Sequence, residues 1–139
     1  MIRAVLDTNV VVSALLNSEG PPAVILQHAI LRSFRCYVSP ALLEEYNEVL
    51  PRARLKLDQQ QISRLLKELR RTAVVVTPRI RVRSASDADD KKVIECALAG
   101  RADFIVTGNI RHFPVRFQDI RVVTPSNFQV VLASTPSKS

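Results

Sequence analysis

Five short apolar runs, separated by helical patterns, constrain this chain more than any other feature. They span Ile2 to Asp7, Arg35 to Val38, Ala73 to Thr77, Phe104 to Thr107 and Arg121 to Thr124. Each is nearly continuous in hydrophobicity, as strands buried on both faces are, and the helices between them return the chain for parallel pairing. The expected fold is α/β: a three-layer α/β/α arrangement around a central five-stranded parallel sheet. In such sheets ligands bind beyond the carboxyl ends of the strands, so the residues that follow each strand are the ones to inspect.

Local signals divide the helices. Val10 to Leu16 reads as a helix capped by Thr8 or Asn9 and broken at Gly20-Pro21-Pro22. The prolines suit the first turn of a second helix running to about Arg32. Ser39-Pro40 caps a third from Ala41 to about Leu50, where Pro51 ends it. Asp58 to Gln61 resembles a capping box opening a helix over 59–71, with Ile62, Leu65, Leu66 and Leu69 inward and Arg64, Lys67 and Arg71 outward. Ser86 to Asp89 is a second such box, opening a helix through Leu98 that Gly100 stops. Pro125 to Leu132 is the last helix. One domain over 1–133 with a polar tail at 134–139 accounts for all 139 residues.

With 47% hydrophobic and 24% charged residues the chain suits a packed globule. No run approaches the ~18 apolar residues of a membrane span, and Asp7 falls inside what would be a signal peptide's apolar region, so a cytoplasmic location without membrane contact is expected. Cys36 and Cys96 lack CxxC spacing and His28 and His112 stand apart, which argues against a disulfide scaffold and against zinc.

Charge points to a polyanion: the net charge is +7. Between Arg52 and Arg83 ten basic residues face two acidic ones, Asp58 and Glu68, a local +8, while the remainder holds ten against eleven, or −1. A basic segment beside a locally acidic body suits a phosphate backbone held next to a carboxylate site.

Three carboxylates supply that site. Asp7 ends an apolar strand just before Thr8 and Asn9. In the third helix Leu42, Leu43, Tyr46, Val49 and Leu50 define an apolar arc, Glu44 and Glu48 point away from it, and Glu45 lies on its flank. Asp90 falls almost at the centre of the stripe formed by Val93, Ile94, Ala97 and Leu98, where a carboxylate is costly unless paired or bound to a cation. Each like-charge pair at ~4 Å would cost about 4 kcal/mol at an effective dielectric near 20, and a bound cation reverses the sign. Oxygen-only ligands in an open site suit Mg²⁺ or Mn²⁺, and with them phosphoryl chemistry through metal-activated water.

At these residues the chain resembles the PIN-domain (PilT N-terminus) family, most of all the toxins of VapC-type toxin–antitoxin pairs. The matching segments are LDTNV at 6–10, SPALLEEYNEVL at 39–50, DADDKKVIECAL at 87–98 and ADFIVTGNIRHFP at 102–114. The resemblance implies a Mg²⁺/Mn²⁺-dependent endoribonuclease that acts on RNA as a homodimer and is inhibited by a cognate antitoxin protein. It maps the first three acidic positions of the family onto Asp7, Glu45 and Asp90, as metal ligands and catalytic residues. Thr107 and Asn109 map onto the polar residues after the fourth strand, where they position water or substrate. Asn9, Arg64, Lys67 and Arg71 are the expected substrate contacts. The family's aspartate before the phenylalanine is His112 here, which leaves a fourth-ligand role open to Asn109, Asp87 or Asp89. Two rivals stand beside this reading. One is a non-catalytic RNA-binding domain of the same fold. The other is a haloacid-dehalogenase-like phosphatase, which requires a second aspartate where Asn9 stands.

Overall fold

A computed structural model of the chain describes residues 1–52, 57–82 and 88–134, with positions 88 and 89 described by backbone alone. Six strands form one sheet: β1 (Arg3–Leu6), β2 (Arg35–Val38), β3 (Val74–Val75), β4 (Phe104–Val106), β5 (Arg116–Phe117) and β6 (Ile120–Val123). Their order is β3-β2-β1-β4-β6-β5. All neighbours are parallel except β5 and β6, where Arg116 opposes Arg121 and Phe117 opposes Ile120. The helices are α1 (Thr8–Leu16), α2 (Pro21–Ile30), α3 (Pro40–Val49), α4 (Gln59–Thr72), α5 (Ala88–Gly100) and α6 (Pro125–Ser134). They flank the sheet in the expected three-layer α/β/α arrangement.

The five expected strands are present, and among the described residues the count is corrected to six by β5. The additional strand is a two-residue edge segment that turns back on β6 through Gln118, whose φ of 54° permits the tight reversal. Nothing in Arg116-Phe117 has the length or apolar continuity of a buried strand, so only the hairpin register reveals it. β3 is shorter than the apolar run 73–77 because it pairs with β2 alone, at the sheet edge, and both of its residues are exposed.

Two helix boundaries also differ. α1 starts at Thr8, one residue after the strand, and its cap is Asp7, whose carboxylate accepts the Thr8 N–H. At the far end of α5, Gly100 lies inside the helix and Arg101 takes the left-handed turn with φ 50°. Glycine at 100 serves packing: a Cβ there would sit 2.8 Å from the Tyr37 ring of β2. Ser39 and Asp58 cap α3 and α4 as expected, by accepting from the N–H groups of Leu42 and Gln60. The box at Ser86 to Asp89 has its decisive side chains outside the described residues, and so does the tail beyond residue 134.

The core joins the sheet to α5, which crosses β1, β2 and β4 and touches α3. Val93, Ile94 and Ala97 of α5 are buried, as are Ala4, Val5, Leu6, Cys36, Val38, Ile105 and Val106 of the strands, whose side chains alternate between the two covered faces of the sheet. Phe128 of α6 closes the layer edge to face with Phe34 and Phe104. The sequence runs outward from β1 through β2 to β3 and then outward again from β4 to β6, so the order reverses between β1 and β4. A crevice at such a reversal is where open α/β sheets bind ligands.

Candidate active site at the β1/β4 reversal

Leu6 pairs with Val106 across β1 and β4, so the residues that follow each, Asp7 and Thr107, leave the sheet side by side. The Asp7 N–H continues the ladder onto the Val106 carbonyl at 2.9 Å. Thr107 is fully buried and donates its hydroxyl to Asp7 Oδ2 at 2.8 Å, while Oδ1 accepts the Thr8 N–H at 2.8 Å. The same Thr107 oxygen accepts the Asn109 N–H at 3.0 Å and the Asn9 side-chain amide at 3.4 Å. Asn9 Oδ1 in turn accepts the Gly108 N–H at 3.0 Å. Asp7 is thus fixed by donors from both strand ends, and Asn9 clamps the loop after β4 to the first turn of α1.

Glu45 reaches this cluster from α3. The Thr8 hydroxyl donates to its Oε2, and the Lys92 ammonium of α5 lies 3.4 Å from its Oε1. Tyr46, fully buried next to it, donates its hydroxyl to the Leu6 carbonyl, which ties α3 to the end of β1 one residue before Asp7. Burial pushes the Tyr46 hydroxyl well above its ordinary range, reinforced by the nearby Cys36, Cys96, Asp7 and Glu45, so it serves as a neutral donor. Asp90 occupies the first turn of α5. Asp7, Glu45 and Asp90 are 8%, 4% and 7% exposed, so three carboxylates are buried on the elements that meet at the reversal.

Among the described residues no group of three or more His, Cys, Asp or Glu side chains is gathered tightly enough to hold a metal ion. Thr8 and Thr107 donate to oxygens of Glu45 and Asp7, and Lys92 lies against Glu45. What remains is an oxygen-only donor set with neighbouring hydroxyls. It fits a hard cation that retains several waters and takes one or two carboxylates, as Mg²⁺ does, and does not fit zinc.

Asn109 and Asn9 line the rim of the site, with Asn109 exposed. His112 ends a short 3-10 turn and lines an open recess of about 290 Å³ with Gly108, Asn109, Ile110 and Arg111. Arg64, Lys67 and Arg71 are exposed on α4 as expected. Arg71 is paired with Glu68 at 2.6 Å, whereas Lys67 joins Arg70 in a groove of about 360 Å³ between α3 and α4 that also includes Asn47, Gln59 and Ser63. Arg70, which is not among the residues expected to face outward, is exposed as well. Asp87 and the side chain of Asp89 lie outside the described residues. Asp103 sits at the opposite end of the sheet, where it accepts the Arg3 N–H at 2.9 Å.

Four further residues have roles that their sequence context does not announce. Thr8 reads as a cap and Tyr46 as part of an apolar arc, yet both are polar links within the site. Lys92 reads as a solvated lysine, yet its ammonium reaches Glu45 of α3. Glu95, buried on α5, accepts the Val82 N–H at 2.8 Å and pairs with Arg81 at 3.5 Å, which pins the chain just before the α5 approach. Helical periodicity gives no hint of that pairing, because its partner is a backbone N–H.

Comparison with known proteins agrees with this geometry. The family model described as PIN domain matches residues 3–111. The chain is also 30% identical to the uncharacterised protein MJ1680 of Methanocaldococcus jannaschii, in an alignment covering 91% of this chain and 89% of that protein. A parallel sheet with an acid at its β1/β4 reversal, and a family match over most of its length, mean that the chain belongs to the PIN-domain family, whose members are generally nucleases.

Proposed function

We propose that this protein is a divalent-metal-dependent endoribonuclease. The observation that carries the reading is the convergence of Asp7 from β1, Thr107 from β4 and, through Thr8, Glu45 from α3 at the sheet's reversal point. Asp7 and Glu45, together with Asp90 from the first turn of α5, would hold Mg²⁺ or Mn²⁺. Such an ion supplies activated water and offsets charge on the scissile phosphate. Thr107 keeps Asp7 oriented, Asn9 holds the 107–109 loop, and Asn109 is exposed at the rim where it would orient substrate or water. Lys67 and Arg70, with Arg64 beside them, offer positive charge to the flanking phosphates.

Cleavage of a labelled single-stranded RNA by the full chain tests this, with and without Mg²⁺ or Mn²⁺. Asp7→Asn, Glu45→Gln and Asp90→Asn are each expected to lower the rate about 100-fold or more, as loss of a preorganised charge does. Cleavage that survives chelator, or survives all three substitutions, would refute the assignment.

A second reading, RNA binding without cleavage, is favoured by His112 standing where an acid would complete the set. RNA retention with no metal-dependent cleavage would select it. The toxin role, the cognate antitoxin and the homodimer rest on the resemblance. Growth arrest on expression, relieved by the product of a small neighbouring gene, and sedimentation as a dimer are the expected results.

A further inference from the structure

Glu45 is deeply buried and receives a donor on each oxygen, the Thr8 hydroxyl on Oε2 and the Lys92 ammonium at 3.4 Å on Oε1. The two partners differ in accessibility. The Lys92 side chain is 35% exposed and that of Glu45 5%, so the ammonium approaches the carboxylate from the solvent side. Asp7 and Asp90 add two more buried carboxylates close in sequence to this pair, one beside Thr8 and one two positions before Lys92. Buried carboxylates need countercharge to remain ionised, and Lys92 supplies one that travels with the chain.

An ammonium is a compact single charge on a flexible four-carbon stem, and a hard divalent ion seeks the same carboxylate oxygen with twice the charge. The two cannot share Oε1 without strong like-charge repulsion. We propose that Lys92 is the resident counter-cation of Glu45, which an entering divalent ion must displace, so that this lysine sets the metal concentration at which the site loads. The partial exposure of Lys92 lets its head swing into water while its stem remains against α5. The inference rests on the metal-dependent reading and adds a control that this reading does not contain.

The test is calorimetric titration of Mn²⁺ alone into the nucleic-acid-free full chain, for wild type, Lys92→Gln and Lys92→Arg. Lys92→Gln is expected to bind about tenfold or more tightly than wild type, because the competing charge is gone. Lys92→Arg, which keeps the charge, is expected to stay near wild type. If Lys92→Gln melts cooperatively and binds Mn²⁺ no more tightly than wild type, Lys92 only orients Glu45 and the inference falls alone. If none of the three proteins binds Mn²⁺, both the inference and the metal-dependent reading fall.

Discussion

Replacing Thr107 with valine keeps the shape of a fully buried side chain and removes one hydroxyl. In the native site that hydroxyl donates to Asp7 Oδ2 at 2.8 Å and accepts the Asn109 N–H at 3.0 Å. A hydrogen bond to a charged acceptor contributes about 1.5–3 kcal/mol, against about 0.5–1.5 for a neutral one. Asn109 lies at the exposed rim, where water replaces the lost acceptor, so the Asp7 bond dominates and the expected loss is about 2 kcal/mol. With ~2.1 cal/mol/K of unfolding entropy per residue, a chain of 139 residues has about 0.3 kcal/mol/K, and the melting temperature should fall by about 7 °C. Thr107→Ser keeps the hydroxyl and loses one methyl, about 1 kcal/mol, for a fall of about 3 °C. Scanning calorimetry in chelator measures both without any metal contribution. Equal destabilisation by valine and serine, or a valine variant within about 1 °C of wild type, would refute the idea that Asp7 is held by this hydroxyl.

Tyr46→Phe should cost about 1–3 kcal/mol in urea unfolding, because it leaves the buried Leu6 carbonyl short of a donor; an unchanged midpoint would mean water fills the gap. Stability should also fall at high pH. Burial pushes the Cys36 thiol from 9.0 up to about 12 and, despite the opposing hydrogen bond with Ser39, the Cys96 thiol likewise. A raised folded pKa keeps the proton bound in the native state after the unfolded chain has lost it, so this stability is fully present below pH 9 and is lost between 9 and 12. The slope approaches about 1.4 kcal/mol per pH unit for each thiol. Urea titrations at pH 8 and 10.5 check it, and Cys36→Ala should reduce the pH dependence. Both thiols should react slowly with a thiol reagent in the folded protein at pH 8 and readily in denaturant. Changing Lys67 and Arg70 to Gln should flatten the salt dependence of RNA binding, by about 0.7 in log–log slope for each phosphate of a single strand that is no longer neutralised, and leave Mn²⁺ affinity unchanged. An unaltered slope would remove the α3/α4 groove from the RNA path.

The alternation of apolar runs and amphipathic helices sufficed for the layer order and for the five apolar strands, because burial on two faces and on one face leave different periods in sequence. It also sufficed to single out Glu45 and Asp90, since a carboxylate on or beside an apolar stripe conflicts with its surroundings wherever the helix is packed. The β5 hairpin was not legible: two residues have no period, and the turn at Gln118 shows no glycine.

Tertiary structure alone decided the polar wiring. Asp7 and Thr107 are one hundred residues apart and meet only because Leu6 and Val106 are in register on strands adjacent at the reversal of the sheet. Thr8 and Lys92 look like a helix cap and a solvated lysine until α3 packs between them and presents Glu45 to both. Local sequence reports how a side chain suits its own helix or strand. Which oxygen meets which donor depends on strand register and helix packing, set by long-range burial of the core, and a hydrogen bond that works within about 3 Å leaves no periodic trace along the chain.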